Sequence, residues 1–171
     1  HGAKDNAVAV GGLIELAHAF AAFRGETRRT VLFLAVTAEE QLLLGSEYYA
    51  AMPLYPLGQT VANINLEMLN VHGRTRDLTV VGLGQSDLDD LAREAATRQG
   101  RVLRPDPEPE RGMYYRSDHF SFVRRGIPAF EPDEGADFVG KPPGFGLRAR
   151  QAFFANDYHK PSDKVKPDWD L

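Results

Sequence analysis

The chain has 171 residues, with 20 Lys and Arg against 24 Asp and Glu, a formal net charge of -4. That balance offers no basic surface for nucleic acid or an anionic membrane, so neither is expected as a partner. Cysteine is absent, which excludes thiol catalysis, disulfides and thiolate metal sites, and leaves histidine and carboxylates to hold any metal. A hydrophobic share of 43% suits one globular domain, and no apolar run reaches the ~20 residues needed to cross a bilayer. The missing cysteine points to a periplasmic or secreted location, although many cytosolic proteins also lack it. A chain opening His1-Gly2 without an initiator Met is expected to be cut from a longer one.

Asp5-Asn6 stands before apolar residues at Val10, Leu13, Ile14, Ala17 and Phe20, a helical spacing with a capping residue in front and Gly25 as its stop. Thr30 to Val36 is a near-continuous apolar run, the pattern of a strand covered on both faces. Residues Ser46 to Ala51 read as a helix stopped by Pro53 and Pro56, and Val61 to Met68 as a second inner strand. Leu78 to Leu83 is a third strand, and Asp87 to Arg98 is an amphipathic helix. Pro105 to Pro109 forms a stiff exposed connector. Ser117 to Arg125 reads as a short helix, Ile127 to Phe130 as a last strand, and Pro132 to Asn156 as loop. The alternation predicts an α/β fold, a mostly parallel mixed sheet with helices on both faces.

Two carboxylates, Glu39 and Glu40, follow the Thr30–Val36 run directly. Ligands in open α/β sheets bind at the carboxyl ends of strands, where one carboxylate can hold a metal while its neighbour handles a proton. A solvated acidic loop fits the same residues. Acidic or imidazole side chains recur at strand ends and turns in Gly2 to Ala7 (GAKDNA), Asn65 to Met68 (NLEM) and Tyr158 to Asp163 (YHKPSD). His18, among alanines in the first helix, reads as structural, and His72 as a loop residue. Gly82-x-Gly84 alone is no phosphate loop, and no serine sits in a nucleophile elbow.

The ordered segments GAKDNAVA, EEQLLLGS, NLEM and YHKPSD, with Tyr115 to Ala129 between them, resemble motifs of the di-zinc aminopeptidases of peptidase family M28. The usual forms there are GAxDNASG, EEQGLLGS, NxDM and YHxPSD. The resemblance covers essentially the whole chain and implies a three-layer α/β sandwich of the zinc exopeptidase type. It implies that Asp5 bridges two zinc ions, that Glu40 and His159 complete one site, and that Glu67 serves the other. It makes Glu39 the general base and sets Tyr158 to donate to a developing oxyanion. An ordinary packed aromatic fits Tyr158 equally well. Asp118 and His119 lie in a matching segment, which suggests an orienting or pocket role beside the plain reading of helix-start residues.

The departures are specific. The family's other zinc ligand is a histidine of an H-x-D motif upstream of the bridging aspartate, and His1, four residues before Asp5, is a poor substitute for it. Glu67 stands where aspartate is usual, and Leu42 where glycine is usual. The expected unit is therefore a partial zinc-peptidase catalytic domain, 1–171, without its N-terminal part and C-terminal helix, prone to self-association through uncovered apolar surface. The expected activity is removal of N-terminal residues from peptides, with two zinc ions in the intact enzyme. A single-zinc glutaminyl-cyclase-like acyltransferase and a non-catalytic peptide-binding homologue are the competing expectations.

Overall fold

A computed structural model of the chain describes residues 2–23 and 25–170. After a wide turn at Ala3–Ala7, helix α1 runs over Val8–Ala22, α2 over Leu44–Ala51, α3 over Leu88–Arg98, α4 over His119–Val123 and α5 over Phe145–Asn156. The strands are β1 (Asn63–Ile64), β2 (Asp77–Val81), β3 (Val102–Pro105) and β4 (Ala129–Asp133), in the order β1-β4-β2-β3. β1 is parallel to β4 and β2 to β3, while β2 meets β4 antiparallel, Val80 opposite Pro132. This is the α/β mixed sheet with surrounding helices that strand–helix alternation predicts.

Local chemistry explains the well-read elements. Asp89 and Asp90 sit in the first turn of α3 and Arg98 in its last, each opposing the local end of the helix dipole. β2 stops at Gly82, whose φ of 79° and whose contact with the Tyr114 ring exclude a side chain: a Cβ there would lie 2.3 Å from ring carbons. One apolar cluster joins Met68, Val81, Met113 and Phe153, with Tyr114, Phe154 and Tyr158 against it. A second joins Tyr49, Phe122 and Ile127, with Leu34 and Leu57 against it. The first cluster underlies Tyr158 and so the candidate site.

Several expectations need correction. Residues 30–36 form no strand: among the described residues no backbone ladder reaches them, and Val31 and Leu32 are 43% and 45% exposed. Their apolar side chains pack locally instead, Phe33 edge-to-face on Phe20 at 5.8 Å and Leu34 against the second cluster. Without that neighbour β1 is a sheet edge. Only Asn63 and Ile64 of the expected 61–68 strand are paired, and Ile64 is exposed. The expected connector begins inside a strand, because Pro105 ends β3, an edge strand where a missing N–H is tolerated.

The stretch 132–156, expected as loop, contains the end of β4 and all of α5. Its inward side is Gly146, Arg150 and Phe153, a pattern with one large apolar residue and a buried arginine. Asp133 pairs with Arg150 at 2.7 Å, and that pairing makes the burial tolerable. Asp5-Asn6 is not a helix cap: no side-chain capping bond precedes α1. The Asp5 carboxylate is turned to other use.

Candidate metal centre

Three ligand-type side chains converge from distant parts of the chain. Asp5 lies in the turn before α1, Glu40 in the turn after residues 30–36, and His159 in the turn after α5. One ligand atom from each lies within 4.8 Å of the other two. His159 Nε2 is 2.8 Å from Glu40 Oε1 and 3.4 Å from Asp5 Oδ2. Ligands of one tetrahedral zinc, each ~2.1 Å from the ion, stand ~3.4 Å apart, so the set fits such an ion. His159 and Glu40 face solvent while Asp5 is mostly covered.

The backbone around the triad is strained. Among the described residues, the non-glycine residues with positive φ are Ala38, Leu42, Leu43 and His159, at 57°, 64°, 60° and 56°, and all lie in the two turns that carry Glu39, Glu40 and His159. Such conformations persist where surrounding structure over-determines them, as at ligand clamps. The 37–45 turn is closed by Leu43 N–H to Glu39 O at 2.8 Å and Gly45 N–H to Thr37 O at 3.0 Å. Gly45 must be glycine, since a Cβ there would sit 2.3 Å from Thr37 O.

Glu39 is half-buried beside the triad, and burial together with Glu67, Glu40, Asp118 and Asp5 pushes its carboxyl up to about 8. The Asp5 carboxyl is raised by burial and by Glu40, against the lowering effect of His159. Burial is the larger cause for both groups, and the neighbouring carboxylates add to it.

Glu67 belongs to a second, deeper network. Ser117 Oγ donates to Glu67 Oε2, and Asn65 Nδ2 donates to Ser117 Oγ at 2.7 Å. Burial and the neighbouring Glu131 push Glu67 up to about 8, and burial with Asp133 does the same to Glu131. His119 is 1% exposed, with Nδ1 only 2.5 Å from Glu131 Oε2. The two atoms are near but out of hydrogen-bond alignment. Burial lowers His119 to about 4, so at neutral pH the close pair is imidazole beside carboxylic acid, not an ion pair.

Tyr158 stacks on His159, and burial with Asp5 and Glu40 raises its hydroxyl to about 12. It therefore stays protonated at neutral pH and remains a donor. Asp118, raised by burial, lies close enough to Glu39 to raise it in turn, and it also starts α4. His18 is exposed on α1, away from a buried structural place. His72 is edge-on to Phe138 and Phe145, and its residue bridges to Asp170. His1 lies outside the described residues.

The structure brings together Asp5, Glu40 and His159, with Glu39 and Tyr158 beside them. It does not bring Glu67 into any three-ligand group among the described residues. Two participants escaped the sequence reading. Glu131 carries the signal read at Glu67, a carboxylate near the end of an apolar strand. Asp163 lay within YHKPSD but carried no sign of what its carboxylate binds.

The model of peptidase family M28 matches residues 1–171. No curated protein matches the chain. Among solved structures, the LapA aminopeptidase of Legionella pneumophila is 18% identical, with a TM-score of 0.62 over 96% of this chain and 40% of that one. A further LapA structure is 20% identical, with a TM-score of 0.58 over 81% and 39%. BSAP, a zinc aminopeptidase from Bacillus subtilis, is 27% identical, with a TM-score of 0.47 over 69% and 32%. The LapA likenesses show a common fold. This chain spans no more than 40% of the length of any of these three structures.

Proposed function

The chain belongs to peptidase family M28, and from that premise we propose that it carries the metal centre of a zinc-dependent aminopeptidase that removes N-terminal residues from peptides. The observation behind this reading is the convergence of Asp5, Glu40 and His159 within 4.8 Å, from three turns far apart in sequence. A zinc ion there supplies Lewis acidity, acidifying water and polarising the scissile carbonyl.

The chain's own residues do the rest. Asp5, Glu40 and His159 are the residues that would hold the ion, a set of one imidazole and two carboxylates of the kind found at catalytic zinc sites. Glu39, beside the ligands but outside the triad, takes the proton from the attacking water and hands it to the leaving amine. Its raised affinity for protons suits the hand-over to the amine, and a bound cation would favour the ionised form that accepts the first proton. Tyr158 presents a protonated hydroxyl to the oxygen that gains charge. Glu67, oriented by Ser117, would be the carboxylate offered to a second ion in the intact enzyme. A periplasmic or secreted location accords with the absence of cysteine.

A second reading, single-zinc acyl transfer of the glutaminyl-cyclase type, is favoured by one fact: only one three-ligand group is present among the described residues. Calorimetric zinc titration of the metal-stripped chain, paired with aminoacyl-nitroanilide hydrolysis in the parent protein, tests both. Glu39→Gln is expected to keep zinc and cut turnover ~100-fold or more. Loss of zinc on Glu39→Gln with retention on Glu40→Gln would reverse the roles of the pair. One zinc per parent protein with cyclising activity and no hydrolysis would favour the second reading. No zinc at all would leave a peptide-binding homologue.

A further inference from the structure

Asp163 is 3% exposed, and its carboxylate points at the backbone of the opposite end of the chain. The Lys4 N–H donates to Oδ1 at 2.9 Å and the Asp5 N–H to Oδ2 at 3.0 Å. The Ala3 N–H donates to the Asp163 carbonyl at 3.3 Å. Three successive N–H groups thus end on one residue. We infer that Asp163 is a positioning residue that holds the Asp5 carboxylate and the His159 turn in ligating register.

Local structure alone does not fix Asp5. Its φ of -114° and ψ of 87°, followed by Asn6 at -141° and 26°, are non-helical values inside the turn that leads to α1. The Lys4 and Asp5 N–H groups therefore have no intrahelical acceptor, and a buried donor without a partner is costly. An aspartate at 163 offers two anionic acceptors at the spacing of two consecutive amides. Fixing the directions of both N–H groups orients the peptide planes on either side of the Lys4 Cα, and so places the Asp5 Cα from which the carboxylate springs.

The other end of the clamp is the histidine's own turn. The Lys160 N–H donates to Asp157 O at 2.9 Å and the Asp163 N–H to Lys160 O at 3.0 Å, closing the loop in which His159 takes its positive φ. Two ligands from opposite ends of the chain are therefore tied through one side chain. The Lys4 ammonium anchors the same strip from below, 2.9 Å from both Glu134 oxygens and over the Phe153 ring. Partners of this kind around metal ligands typically contribute 10–100-fold in metal affinity.

The inference rests on the zinc reading above, so the test separates the two. Zinc affinity of the metal-stripped full chain is measured calorimetrically for the native protein, Asp163→Asn and Ser162→Ala. Ser162 donates to Asn156 O at 2.8 Å in the same loop but does not reach Asp5. Asp163→Asn keeps size but turns one acceptor into a donor facing an N–H. Its zinc dissociation constant is expected to rise 10–100-fold and its cobalt(II) absorption to change, while Ser162→Ala matches native on both. Native affinity and spectrum in a folded Asp163→Asn protein would overturn the inference. Amide hydrogen exchange on the native chain decides the case if Asp163→Asn does not fold. Slow exchange at Lys4 and Asp5 supports the clamp, and exchange at the rate of free amides overturns it. Absence of zinc binding in the native chain would refute the zinc reading, and amide exchange would then judge the clamp alone.

Discussion

The rings of Tyr158 and His159 stack with centroids 3.8 Å apart and 26° between their planes. The stack holds the imidazole in a turn whose φ of 56° is unfavourable for a side chain with a Cβ. Tyr158→Phe keeps the ring and loses the hydroxyl. Zinc affinity should stay within about 2-fold of native while turnover in the parent protein falls roughly 100–1000-fold, the size of a lost oxyanion donor. Unchanged turnover would reduce Tyr158 to packing. Tyr158→Ala should weaken zinc as well, because the stack goes with it.

The buried carboxyls make a sign-definite statement about pH. In the folded, metal-free protein Glu131 is raised from its ordinary 4.5 to about 8, and Glu39 and Glu67 move the same way. The folded state therefore holds protons that the unfolded chain gives up. The associated stability is fully present below about 4.5, lost progressively as pH climbs through about 8, and constant above that. Glu131→Gln is neutral throughout. Its melting temperature should match native or fall slightly below it at pH 4.5 and rise above it by pH 8.5. A variant that tracks native at both pH values would show that Glu131 is ionised in the fold.

Leu42 is 90% exposed and sits at a φ of 64°. Its side chain gains nothing from packing and pays for a left-handed backbone, a conformation worth ~1 kcal/mol against a leucine. Glycine relieves that strain but adds freedom to the unfolded chain. The balance should leave Leu42→Gly as stable as native or up to about 0.6 kcal/mol more stable in urea unfolding. Destabilisation would mean that Leu42 contacts something in solution.

Val10 and Ile14 on α1, with Val31 and Leu32 in the unpaired run, are all exposed. Exposed apolar residues of this kind favour association, and backbone without a ladder partner among the described residues adds a template for it. Light scattering of the isolated chain should show mass rising with concentration, and Val31→Lys should lower the association. A monomer at every concentration would show that this surface is tolerated in water.

The order of the motif-bearing segments, the absence of any thiolate, the adjacent Glu39-Glu40 pair, and helices α2 and α3 were legible in the sequence. Each rests on composition or on neighbours within a turn or two: caps, proline stops, a 3.6-residue period, a carboxylate closing an apolar run. What the tertiary structure decided has no local trace. The run 30–36 has every attribute of an inner strand, but a ladder is a property of two segments, and none of the described residues supplies the second. α5 was hidden because its inward arginine is tolerable only beside Asp133, a partner 17 residues away. Asp163 looked like any turn aspartate until its two oxygens met the amides of Lys4 and Asp5, 159 and 158 positions earlier. Burial and long-range hydrogen bonding assign such roles, and they depend on where distant segments come to rest rather than on the residues beside them in the chain.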